Sequence, residues 1–113
     1  MSEFKTLNAF EFHHVLAEQA GISIVMFTGK ACSSCRAWKQ LLLDYQLKHN
    51  ITLYEIDAER DMALTNEFDV FHLPALFIYK DGLYHSELQC QARMHELEQA
   101  IENYLSADAM EMP

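Results

Sequence analysis

A chain of 113 residues, half of them apolar and including seven Phe and five Tyr, suits one domain around one core and is too rich in aromatics for disorder. Its formal charge of −9, with eight Lys and Arg scattered along it, excludes a nucleic-acid binder, which needs clustered cations. No stretch approaches the roughly 18 uninterrupted apolar residues of a membrane helix, so no membrane partner is expected.

The first element predicted is a helix. Asn8 is placed to cap it, Glu11 three residues on completes a capping box, and Leu7 with Phe12 forms the accompanying hydrophobic staple. This helix is expected to run to about Ala20 with Phe12, Val15 and Leu16 facing inward, and Gly21 to end it in a left-handed residue. Ile22 to Phe27 is short, apolar and rich in β-branched residues, which predicts a central strand buried on both faces. From Arg36 to Lys48, the residues Ala37, Trp38, Leu41, Leu42 and Tyr45 recur at helical spacing. Ile51 to Asp57 reads as a second buried strand, and Asp61 to Phe68 as a short helix. Ala75–Tyr79 and Leu83–Leu88 flank Asp81-Gly82, the dipeptide that favours a tight type I′ hairpin. Met94, Leu97, Ile101, Tyr104 and Leu105 predict a closing amphipathic helix whose wet face carries Glu96, Glu98 and Glu102. Trp38 and the Phe residues are assigned to the core, and His13-His14 to the surface. The domain is expected to cover residues 1–106, with 107–113 a mobile tail. Strand–helix–strand order followed by a hairpin implies an α/β fold, a mixed central sheet with helices on both faces.

Between the first strand and the second helix lies Cys32-Ser33-Ser34-Cys35. Two thiols three positions apart at a helix start can close a small disulfide ring. The positive end of the helix and its free N–H groups favour a thiolate on the first. Such a pair is the working part of a disulfide oxidoreductase, although zinc sites use the same spacing. An odd count of three cysteines fits poorly with a secreted disulfide scaffold. Met1 to Thr6 also lacks the basic-then-apolar build of a signal peptide. The expected compartment is therefore the cytoplasm, where thiols are kept reduced.

The element order, the CxxC after the first long strand, and Phe71-His72-Leu73-Pro74-Ala75-Leu76-Phe77 together resemble the thioredoxin superfamily from roughly Phe4 to Leu105. The resemblance implies a thioredoxin-like fold and a thiol–disulfide oxidoreductase contributing to cell redox homeostasis. It would exchange disulfides with protein or peptide thiols and be recharged by a thiol reductant, with no cofactor and no metal. By family role Cys32 is the exposed nucleophile and Cys35 the buried resolving thiol. Pro74 would follow a cis peptide bond beside the CxxC, and Leu73, with His72 next to it, would present backbone to a bound peptide. Lys30 and Arg36 are candidate modulators through their charge. Cys90 is a third, standing where the family has a small glycine near the groove. The chain departs from the family pattern elsewhere too. Ala31 replaces an aromatic, Met26 stands where a buried aspartate often assists the resolving cysteine, and Gln40 replaces a helix-kinking proline. Two other readings of the pair stay open: a redox-inactive interaction module on the same fold, and a metal-binding dithiol drawing on His72 and Cys90.

Overall fold

The computed structural model describes residues 3–113; Met1 and Ser2, counted in the expected domain, lie outside the described residues. In chain order the elements are β1 (Phe4–Thr6), α1 (Phe12–Glu18), β2 (Ile22–Thr28), α2 (Ser33–Lys48), β3 (Ile51–Asp57), α3 (Met62–Glu67), β4 (Ala75–Lys80), β5 (Leu83–Glu87) and α4 (Met94–Ser106). The strands form one sheet in the order β1-β3-β2-β4-β5. β1, β3 and β2 run parallel, β4 is antiparallel to β2, and β5 is antiparallel to β4.

Alternation along β2 divides the core into two layers. Val25 and Phe27 point to one face with Phe12 and Leu16 of α1 and with Leu64 and Phe68 around α3. Ile24 and Met26 point to the other, with Trp38 and Leu42 of α2 and Leu97 and Ile101 of α4. β2 is buried on both faces, as its largely apolar run requires.

The capping box forms as the sequence predicts. Asn8 Oδ1 accepts the Glu11 N–H at 3.2 Å, and Glu11 Oε1 accepts the Asn8 N–H at 3.2 Å. Leu7 and Phe12 are both buried in the same cluster. The helix itself is shorter than expected and ends at Glu18. Gly21 does take a positive φ of 76°, but as the turn into β2 rather than as a helix cap. There its N–H donates to Asp81 Oδ1 and its carbonyl accepts the Asp81 N–H, each at 2.8 Å. β1 was not expected: three residues carry too little periodicity to read, and the strand exists because β3 offers an open parallel edge. The observed core departs from the sequence reading on α2 and at two Phe residues. Ala37 is exposed, because the buried face of α2 runs through Cys35, Trp38, Leu42 and Tyr45. Phe10 and Phe71 lie on the surface. His13 and His14 are exposed, with His13 Nε2 2.9 Å from Glu67 Oε2.

Asp81 and Gly82 have φ values of 50° and 83°, the two positive angles a type I′ hairpin demands. A Cβ at Gly82 would in addition run into the Ala17 backbone carbonyl, whereas one at Gly21 would meet nothing. Gly82→Ala should therefore lower stability by about 2 kcal/mol or more and Tm by roughly 8 °C or more, against about 1 kcal/mol for Gly21→Ala. Thermal denaturation of the two variants measures the difference; equal losses would contradict the packing argument.

No described helix is long and apolar enough to cross a membrane. Residues 107–113 have no regular secondary structure, and the Met110 N–H donates to the His85 carbonyl of β5 at 2.7 Å.

Candidate active site

Cys32 is the last extended residue before α2, with φ −87° and ψ 97°, and Ser33 opens the helix. The Cys35 N–H reaches the Cys32 carbonyl at 3.3 Å, so the two cysteines are joined by one turn of backbone. Their sulfurs form a disulfide, S–S 2.11 Å with the Cα atoms 5.4 Å apart. The two are not equivalent. Cys35 is 5% exposed, packed under α2 against the cluster that includes Met26 and Trp38. Cys32 is half-buried and opens on a groove of about 370 Å³. α2 is 16 residues long, so its N-terminal N–H groups and dipole favour an anionic sulfur at Cys32. The Ser34 hydroxyl lies 3.7 Å from Cys32 Sγ, within reach as a further donor.

Gly29, Ala31, Ser33 and Ser34 border the groove on the CxxC side, and Phe71, His72 and Leu73 on the other. The Leu73–Pro74 peptide bond is cis, and both residues are half-buried where the chain enters β4. Gly29 allows the two walls to approach. A Cβ there would come within 2.7 Å of Leu73 Cδ1 and 2.9 Å of Glu59 Oε1. Glu59 closes the groove by accepting the Lys30 N–H on Oε1 at 2.9 Å.

Of the residues singled out from sequence, Cys32, His72 and Leu73 line this one groove, with Cys35 beneath it and Pro74 behind Leu73. Lys30 and Arg36 are exposed. Lys30 touches the site through its backbone rather than its ammonium group. Cys90 is a free thiol, half-buried against the cluster that holds Cys35. Burial, and secondarily the charge of Glu96, push its thiol above the ordinary range, so little thiolate is present near pH 7. In a variant lacking the other two thiols, Cys90 should react with iodoacetamide at pH 7 more slowly than free cysteine. The rate should keep rising with pH beyond the point where free cysteine levels off. A rate equal to that of free cysteine at pH 7 would contradict this. No three His, Cys, Asp or Glu side chains among the described residues gather to hold a metal ion.

Three members of the site were not singled out from the sequence. Gly29 and Glu59 matter only because the fold brings two loops together. Phe71 was assigned to the core, and its position three residues before Pro74 was the one hint that it belongs to the groove. On the α2 face of the sheet, Met26 is fully buried and in register with Glu55. The Glu55 carboxylate is itself held by Lys39 Nζ at 2.8 Å and the Thr28 hydroxyl at 2.7 Å.

Comparison with known proteins agrees with this geometry. The family model described as Thioredoxin matches residues 3–103. A mouse protein, thioredoxin domain-containing protein 2, is 35% identical over 74 residues, 63% of this chain and 14% of its own length. The thioredoxin of Staphylococcus saprophyticus is 29% identical over 68 residues, 57% of this chain and 64% of its own. The chain thus spans less than two thirds of either relative. Among solved structures, Chlamydomonas reinhardtii thioredoxin f2 superposes with a TM-score of 0.78 at 15% identity, covering 94% of this chain and all of that one.

Proposed function

The chain belongs to the thioredoxin family, and from that premise we propose that it is a thiol–disulfide oxidoreductase acting on protein or peptide disulfides. The observation that carries the reading is the unequal pair: a groove-facing Cys32 at a helix N-terminus, disulfide-bonded to a Cys35 buried one turn inside.

In the reduced protein the Cys32 thiolate attacks one sulfur of the substrate disulfide. A Cys32–substrate bond forms as the substrate S–S bond breaks, and the first substrate sulfur leaves as a thiolate that takes a proton from solvent. The Cys35 sulfur, deprotonated, then attacks Cys32 Sγ. The Cys32–Cys35 bond closes, the mixed disulfide breaks, and the second substrate thiol leaves. Two electrons pass from protein to substrate, and an external dithiol or thiol reductant restores them. His72 and Leu73, with Pro74 behind them, form the opposite wall, where an extended substrate backbone lies beside the reacting sulfur. Lys30 and Arg36, exposed and outside the groove lining, act on the Cys32 thiolate through charge alone, and Cys90 supports the layer beneath it. The reaction needs a compartment whose thiol pool is reducing, and the cytoplasm is the one we propose.

Multiple-turnover reduction of a peptide disulfide, with dithiothreitol as reductant, tests the proposal. Acceleration well above dithiothreitol alone is expected. A rate equal to that background would favour instead a binding module whose cysteines are idle.

A further inference from the structure

Phe71 is 89% exposed on the loop leading into Leu73–Pro74, and it lines the same groove as Cys32. A large aromatic left in water beside a reacting sulfur has no packing role in the isolated chain, since the core clusters close without it. Across the groove, Ala31 offers only a methyl group. Apolar contact for a bound segment therefore comes from the Phe71 side. Charge in the groove points the other way. Among the described residues Glu59 is the carboxylate that lines it, and its Oε1 accepts the Lys30 N–H. The chain as a whole carries −9.

We infer that the groove selects disulfides flanked by a large apolar side chain, seated on Phe71, and by a basic residue, facing Glu59. This rests on the oxidoreductase reading and refines it: the substrate class is an apolar and basic segment around a cystine, and acidic segments are disfavoured. Phe71 and Glu59 act as specificity residues and take no part in the sulfur chemistry. An aromatic face contributes most where the bound segment excludes water from it, and the carboxylate steers a cation only over about a Debye length.

The test compares steady-state reduction of three substrates at low and high salt. Two are peptide disulfides, one flanked by Leu and Lys and one by Ser and Glu, and the third is hydroxyethyl disulfide, which has no flanks. The wild-type protein should prefer the Leu/Lys peptide, and added salt should shrink the preference. Phe71→Ala should raise KM for that peptide roughly fivefold, and change the hydroxyethyl disulfide rate by much less. Glu59→Gln keeps an acceptor for the Lys30 N–H and removes the charge. It should abolish the salt-dependent part of the preference alone. Wild-type preference with no change of KM in Phe71→Ala overturns the assignment of Phe71. A wild type that reduces all three substrates without preference overturns the inference while leaving the oxidoreductase reading intact. Failure to reduce even hydroxyethyl disulfide overturns both.

Discussion

Cys32→Ser is expected to abolish disulfide exchange, with a fall of at least ~10³-fold, because a serine hydroxyl is not ionised near neutral pH and cannot replace a thiolate as nucleophile. Cys35→Ser should behave differently, and the difference follows from exposure. Cys32 still faces the groove in that variant, so the first attack proceeds. The thiol that would release the product is gone from its buried position one turn along α2. A mixed disulfide should therefore accumulate, visible by intact mass as the protein plus one substrate half and removed by dithiothreitol. Full activity in Cys32→Ser would end the catalytic reading. Accumulation of the adduct on Cys32→Ser instead would reverse the two roles.

Met26→Asp is expected to cost about 3–5 kcal/mol at pH 7. Met26 is 0% exposed, so an aspartate there would lose its hydration without gaining a cation. The register places Glu55 directly beside it on the neighbouring strand, and Lys39 is already committed to Glu55. Two carboxylates opposite one another repel. The pH dependence has a definite sign. Burial raises the folded-state pKa of the new carboxyl above its unfolded value of about 3.9, so folding favours the protonated form. The electrostatic part of the loss is thus small below about pH 4 and grows as pH rises through the unfolded pKa. Urea unfolding of variant and parent at pH 4 and pH 7 measures it. A stability difference that does not widen with pH would show that position 26 tolerates a charge. The apolar layer under Cys35 is in this sense built around methionine, and an acid cannot simply be restored there.

Strands built on mostly apolar runs were legible in the residues, because β2, β3 and β4 carry few polar side chains among their apolar ones. The Asn8–Glu11 box and the Asp81-Gly82 hairpin were legible for a related reason. Each rests on side-chain or backbone chemistry confined to a few consecutive residues. β1 was not, since three residues owe their strand conformation to a partner some fifty positions away. Ala37 was misplaced because helical spacing admits two overlapping stripes, and only packing against Met26 and Leu53 selects the one through Cys35 and Trp38. In the site, the CxxC pair announced itself through its place between strand and helix. Gly29 and Glu59 could not, because their roles arise from loops that meet only in the folded chain. Phe71 illustrates the converse. Composition assigns phenylalanine to the core, and only the fold shows one facing the groove.

The central claim is that Cys32 and Cys35 cycle between dithiol and disulfide. Equilibration across a series of glutathione redox buffers, followed by alkylation and intact mass, tests it most directly. The account predicts a reversible two-thiol transition confined to this pair, with Cys90 remaining a free thiol throughout. Its midpoint is to be placed against the roughly −270 mV of thioredoxin. A pair that stays in one state across the whole series would contradict the account.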